Sequence, residues 1–261
     1  MRIGLLSGKT LSEHHLSLLQ PILQDRQFEV ALVVIDARPP KTVRQKVIEN
    51  LRRGCGAYIL VRAIQSFLPE PARGIETEEF CRKNDVEFLE TGSPYSPEIA
   101  ERIRAYQLDL MVLLCGFGII PEPLLSVCPK GILSYHHGDM RKYRGMPPGL
   151  WELYHGEREI GITVQKIAAR LDRGIPIEEK HLPIYPTDTL RAVRERLKAH
   201  DQGMLYAALK KMADPDFQPT LIQEFGKVYT LPNFRQWVTL HTRIAYRRLR
   251  CRLPARSGKD P

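Results

Sequence analysis

Two short stretches of the chain carry residue types that can do chemistry together. Ser134-Tyr135-His136-His137-Gly138 closes a strand-like run, and Leu171-Asp172-Arg173-Gly174 lies downstream of it. An imidazole moves protons near neutral pH because its unperturbed pKa is about 6.5. A carboxylate can orient that ring and stabilise its charged form. A serine hydroxyl can donate one hydrogen bond to a developing negative charge, although it is short and rotates freely. Upstream, Gly116-Phe117-Gly118 follows an apolar strand ending at Cys115, and glycines there let a flat ligand approach the backbone. Ligands of open α/β sheets collect at the carboxyl ends of strands, so both segments point at one crevice.

Each of these residues also has an ordinary reading. A histidine by itself is usually structural or on the surface; His136 stands apart because it ends a strand inside a pattern of several parts. His137 alternates away from His136 on an extended chain and can simply cap the strand. Asp172 before Gly174 can be only a turn residue. Arg144-Gly145 can be a surface loop, or it can position an anionic or sugar ligand.

The elements that must place these residues read as alternating strands and helices. Residues 2–7 form a buried strand, Ser12–Gln24 a helix that Pro21 kinks or shortens, and Phe28–Ile35 a second strand. Strand, helix, strand at this spacing is a right-handed unit with a parallel sheet. Glu76–Lys83, Val86–Leu89, Pro97–Tyr106 and Leu110–Cys115 continue the alternation, with Gly131–Tyr135 and Ile160–Ile167 as further strands. Leu110–Cys115 is the most apolar of them, as the centre of a sheet covered on both faces requires. One long helix is expected over Thr189–Lys211, capped by Asp188 or Thr187. Residues 37–74, bounded by prolines and rich in arginine, read as an inserted, basic, helical excursion.

In order and spacing these pieces resemble the folate-dependent formyltransferase family, which includes glycinamide ribonucleotide, methionyl-tRNA and sugar-amine formyltransferases. The resemblance rests on Ser134–Gly138, Lys142-Tyr143-Arg144-Gly145, Gly161-Ile162-Thr163-Val164, Leu171–Gly174 and the run Gly116-Phe117-Gly118-Ile119-Ile120-Pro121. It implies an α/β fold, a Rossmann-like mainly parallel sheet with helices on both faces. The resemblance further implies that 10-formyltetrahydrofolate is the donor, that Gly116–Pro121 holds it, and that no metal takes part. His136 and Asp172 would do the proton and charge work, with Ser134 beside them and His137, Arg144 and Gly145 toward the acceptor. The family's oxyanion donor is an Asn where this chain has Ser134, and its Pro is here His137. Ser134 then acts through water, His137 supplies the missing donor, or the site has lost turnover and only binds. Gly138-Asp139-Met140 also departs from the family's usual Ser-Leu-Leu, which implies an unusual acceptor pocket. The expected acceptor is the amine of an amino sugar, nucleotide-linked or lipid-linked. A methionyl-tRNA or glycinamide ribonucleotide enzyme and another acyl or carbamoyl transfer are the alternatives.

Composition bounds these readings. The apolar fraction of 43% is enough for a globular core. No apolar run approaches the roughly 20 residues of a membrane span. The N-terminus lacks the pattern of a secretory signal. Five cysteines without a CxxC pair argue against a disulfide framework or a zinc site and fit a reducing cytoplasm. The formal charge of +9 sits almost entirely after residue 225, where nine bases face Asp260 alone. A catalytic domain over 1–211 and a basic, helical extension over 212–261 follow. That extension after Lys211 is too short and too helical for the β-rich C-terminal domain of the family's tRNA-acting members. It reads as a helix docked by its apolar side, as a helix on an anionic membrane surface, or, with less support, as a nucleic-acid contact. A homodimer is left open.

Overall fold

The computed structural model describes residues 1–52 and 74–252. The chain begins with β1 (Arg2–Ser7), β2 (Thr10–Ser12), α1 (Glu13–Gln24), β3 (Glu29–Asp36) and α2 (Val43–Arg52). It continues through β4 (Gly74–Glu76), α3 (Thr77–Lys83), β5 (Glu87–Thr91), α4 (Pro97–Arg104) and β6 (Leu110–Leu113). Then come β7 (Ile132–His136), β8 (Tyr143–Gly145), α5 (Leu150–His155), β9 (Glu159–Lys166) and β10 (Ile175–Pro183). The described chain closes with α6 (Leu190–His200), α7 (Met204–Ala213), β11 (Lys227–Tyr229) and α8 (Phe234–Arg252).

Seven strands form one sheet in the order β10-β9-β7-β6-β1-β3-β5. The five from β5 to β7 run parallel; β9 runs against them beside β7, and β10, antiparallel to β9, restores their direction at the edge. The parallel strands are apolar on both faces because both are covered. On one face Leu5, Val33, Val112 and Leu133 pack with Leu19 and Ile22 of α1 and with Leu205 and Leu209 of α7. On the other, Leu6, Val34, Met111 and Ile132 pack with Ile99 and Ile103 of α4 and with Phe117 and Leu124. Fully burying each such side chain contributes roughly 1.5–3 kcal/mol.

The α/β architecture expected from the sequence is the one observed, with three local differences. First, α1 runs through Pro21 to Gln24, started by Ser12, whose hydroxyl accepts the His15 amide. Second, the single long helix expected over 189–211 is two, broken at Asp201-Gln202-Gly203. Gly203 adopts φ of 83° and caps α7, while Asp201 turns its carboxylate to His14 and His137. The cap of α6 is Thr189, whose hydroxyl accepts the Ala192 amide. Asp188 is already taken by Arg196 and by the Tyr185 amide. Third, the antiparallel β10 and the short pair β8–β11 were not expected.

Of the 37–74 excursion, α2 bears out a helical start; the stretch with Tyr58, Ile59, Leu60, Ile64, Phe67 and Leu68 lies outside the described residues, as do Leu253, Arg256 and Lys259. In the extension, α8 docks on α5. Leu240 and Ile244 are buried, and Arg243 and Arg247 donate to the Tyr154 and Leu153 carbonyls at the end of α5. Phe234, Val238, Tyr246 and Leu249 stay exposed. Among the described residues no helix is long and apolar enough to cross a membrane.

Candidate active site

The centre lies where β6 and β7 end and β9 returns alongside them. Side chains alternate along β7, so Ser134 and His136 share one face while Tyr135 and His137 share the other. His136 is 6% exposed. Its Nδ1 stands 3.4 Å from Asp172 Oδ1, and its Nε2 donates to the Tyr143 carbonyl at 2.9 Å. Both partners are acceptors, an arrangement that suits the imidazolium. Burial works against that charge, but the Asp172 hydrogen bond and charge and the Tyr143 carbonyl outweigh it and raise the ring above its ordinary pKa.

Asp172 is placed by a turn whose backbone enters the left-handed region, φ 44°. Its Oδ2 accepts the Gly145 amide at 2.7 Å, and its Oδ1 accepts from Gln165 Nε2 at 3.5 Å. Burial would push this carboxyl up; His136, Gly145 and Gln165 together hold it below the usual carboxylate range. Geometry and both shifts favour the charged form of the pair.

Asp172 opens onto a narrow cleft of about 90 Å³ walled by Leu113, Gly118, Ile119 and Ile120 on one side and Ser134, Gln165 and Arg170 on the other. Apolar walls with a polar end suit a flat heterocycle. The loop that supplies Gly118–Ile120 is sharply bent: Gly116, Phe117 and Gly118 have φ of 76°, 54° and 73°. A non-glycine residue in that region is costly, and Phe117 is held there by burial of its ring and by a clamp on its carbonyl. Arg38 Nη2 donates to that carbonyl at 3.2 Å, Tyr95 Oη donates to it as well, and Asp36 holds Arg38 through two hydrogen bonds of 2.8 and 2.6 Å.

The other expected residues fall into place unevenly. Of the loop, Gly118, Ile119 and Ile120 line the cleft; Gly116, Phe117 and Pro121 do not, Phe117 being buried and the other two exposed. Gly145 acts through its amide on Asp172. Arg144 spends its guanidinium on the Gly226 and Leu171 carbonyls, tying the β11 segment to the Asp172 turn. His137 is not brought to the centre. It stacks on Tyr135 at 5.8 Å and meets Asp201 Oδ2 at 3.2 Å on the opposite face of the sheet, where His14 meets the same oxygen at 3.1 Å. It is therefore not positioned as the donor that would supplement Ser134.

Two residues of the centre were missed, as was a buried acid on the opposite face. Gln165 extends the Gly161–Val164 strand by one position, and only the register of β9 against β7 reveals it. Glu152, on α5, is 3% exposed and lies beside His136. A Cβ on Gly138 would be 2.9 Å from His136 Nε2 and 3.5 Å from Glu152 Oε1. Burial pushes its carboxyl up to about 7, with its own backbone amide and His136 opposing. On the opposite face, beside His14 and His137, Asp201 is fully buried, and its Oδ1 has no hydrogen-bond partner among the described residues. Among the described residues no cluster of three or more His, Cys, Asp or Glu could hold a metal ion.

This fold has parallels. A glycinamide ribonucleotide transformylase from Symbiobacterium toebii superposes with a TM-score of 0.58 at 22% identity, covering 85% of this chain and 94% of its own. An N-formyltransferase from Helicobacter canadensis, solved with folinic acid and dTDP-3-aminofucose, gives 0.57 at 13% identity, over 88% and 71%. In sequence, the methionyl-tRNA formyltransferase of Trichlorobacter lovleyi is 34% identical over 133 residues, which are 51% of this chain and 40% of the relative. That of Acetivibrio thermocellus is 30% identical over 141 residues, 54% and 45%. The matched region thus spans less than half the length of either relative. The family described as Formyl transferase matches residues 62–209, more than half of the sequence and the whole of the His136–Asp172 centre, and the chain belongs to it.

Proposed function

We propose that this chain transfers a formyl group from 10-formyltetrahydrofolate to the amine of an amino sugar carrying an anionic group, such as a nucleotide-linked sugar. The observation that carries the reading is the buried His136–Asp172 ion pair at the end of a narrow, mostly apolar cleft. The reduced folate, when bound, supplies an activated formyl carbon on its N10. Gly118, Ile119 and Ile120 would hold its ring, with Ser134, Gln165 and Asp172 at the polar end.

A bond forms from the amine nitrogen to the formyl carbon, and the bond from that carbon to N10 breaks. The amine gives up one proton and N10 gains one. His136 and Asp172 hold their protons as a coupled unit, so the pair takes the first and returns the second, ending as it began. Tyr143 and Gly145 keep the ring and the carboxylate in register through backbone groups. Arg144, Arg170 and Arg173 surround the Asp172 turn, which supports an anionic acceptor at the mouth of the cleft.

The curated relatives support a second acceptor, the aminoacyl end of methionyl-tRNA. One experiment separates the two. The protein is incubated with 10-formyltetrahydrofolate and, in parallel, a panel of nucleotide-linked amino sugars, methionyl-tRNA and glycinamide ribonucleotide, and each acceptor is analysed by mass. Formylation of an amino sugar that is lost in His136→Ala and Asp172→Ala supports the reading; formylation of tRNA alone replaces its acceptor; no product from any amine ends it.

A further inference from the structure

We propose that the side-chain amide of Gln165 is a catalytic hydrogen-bond donor to the formyl oxygen, acting from across the β7–β9 ladder beside Ser134. The inference rests on the formyl-transfer reading and adds a residue to it. Ser134 and Gln165 are direct partners in the antiparallel pairing of β7 and β9. Facing residues in such a pair share one side of the sheet, and both line the cleft.

Ser134 is a weak donor on its own. Its hydroxyl is short, and the Tyr135 carbonyl at 3.4 Å is the only hydrogen-bond partner it has among the described residues. Gln165 reaches further and is 3% exposed. Its orientation is fixed from behind. The Gly174 amide donates to its Oε1 at 3.1 Å, so Oε1 must point to β10 and Nε2 to the centre. Asp172 Oδ1 takes one Nε2 hydrogen at 3.5 Å. The second hydrogen meets no acceptor among the described residues.

Attack on the formyl carbon moves negative charge onto its oxygen. A donor fixed before the reaction, in a site largely closed to water, stabilises that charge without reorganising. A neutral amide suits this position better than a cation would. An ammonium or guanidinium at 165 would neutralise Asp172, whereas the amide leaves the carboxylate free for the proton.

Two variants test it. Gln165→Met keeps the volume and Gln165→Leu shortens the side chain; both remove the donor. With circular dichroism confirming the fold, formylation of the amine and acceptor-free release of tetrahydrofolate from 10-formyltetrahydrofolate are both measured. In each variant kcat is expected to fall by about 10²–10³, at every pH, with little change in the KM for the folate. A kcat within about threefold of wild type overturns the inference, as does a variant whose activity returns when the pH is moved, which would mark Gln165 as a support for Asp172 alone. A second readout does not need turnover. The side-chain NH₂ resonance of Gln165, assigned by its absence in Gln165→Met, is expected to shift when 5-formyltetrahydrofolate is added to ¹⁵N-labelled wild type. No shift at saturation overturns the inference. A wild type that forms no product yet shows the shift overturns the proposed function and leaves Gln165 as a formyl-oxygen ligand.

Discussion

His136 Nδ1 and Asp172 Oδ1 lie 3.4 Å apart, and each holds the other in its charged form: the ring is raised above its ordinary pKa and the carboxyl is depressed below its own. Replacing Asp172 by Asn removes the charge and leaves the shape. The His136 titration midpoint, followed by NMR, is expected to fall, and kcat to drop by about 10²–10⁴. An unmoved midpoint would show that the pair is not coupled.

The same pair predicts an acid limb of stability. A depressed carboxyl contributes stability that is present above its unfolded pKa, about 3.9, and is lost as pH falls through the lower folded value. Thermal midpoints measured from neutral pH downward are expected to fall below about pH 4, and more gently in Asp172→Asn. Asp201, also depressed by His137 and His14 despite its burial, contributes a second part of that limb.

Glu152 predicts the opposite sign. Its folded pKa, about 7, lies above the ordinary carboxylate value, so the folded state holds a proton that the unfolded state has released. Stability from this group is full at acid pH and is lost as pH rises toward 7. Glu152→Gln removes that loss, on the order of 3 kcal/mol at full ionisation, and is expected to raise the thermal midpoint at pH 8 more than at pH 4.5. Equal effects at both values would argue against a buried, proton-holding Glu152.

The clamp on the cleft loop is separable from the chemistry. Arg38→Leu removes the guanidinium that holds the Phe117 carbonyl and is expected to raise the KM for the folate about tenfold while kcat changes less. Isothermal titration with a folate ligand checks the same point; unchanged affinity refutes it.

Docking of α8 is tested by contrast. Leu240 is 0% exposed and Leu249 is 59% exposed. Leu240→Ala is expected to cost about 2–5 kcal/mol in denaturant unfolding, and Leu249→Ala less than about 0.5 kcal/mol. Equal costs would mean that the helix does not pack by this face.

The sequence was readable where a residue's neighbours in the chain already define its setting. His136 ends an apolar run, Asp172 precedes a turn glycine, and the strands of the parallel half announce themselves by unbroken Val, Ile and Leu. It was unreadable where the setting is made by another part of the chain. Gln165 looks like one polar residue in a strand until β9 reverses against β7 and sets it opposite Ser134. Glu152 looks like an ordinary helix surface residue, since nothing in Leu150–His155 shows that this face turns inward toward Gly138. The 189–211 stretch has helical spacing on both sides of its break; Gly203 marks the break locally, while the two partners of Asp201 there, His14 and His137, are distant in sequence. The turn at β10 and the β8–β11 pair depend on register alone.

The pairing of β8 with β11 has a bearing on biosynthesis. Gly145, whose amide steadies Asp172, lies against Tyr229, close enough that a methyl group on Gly145 would strike the Tyr229 carbonyl. A nascent polypeptide therefore already contains His136 and Asp172 well before it holds the strand that braces Gly145. Translation that stops ahead of residue 227 leaves a product with both reactive groups present and the Tyr143–Gly145 strand without its mate.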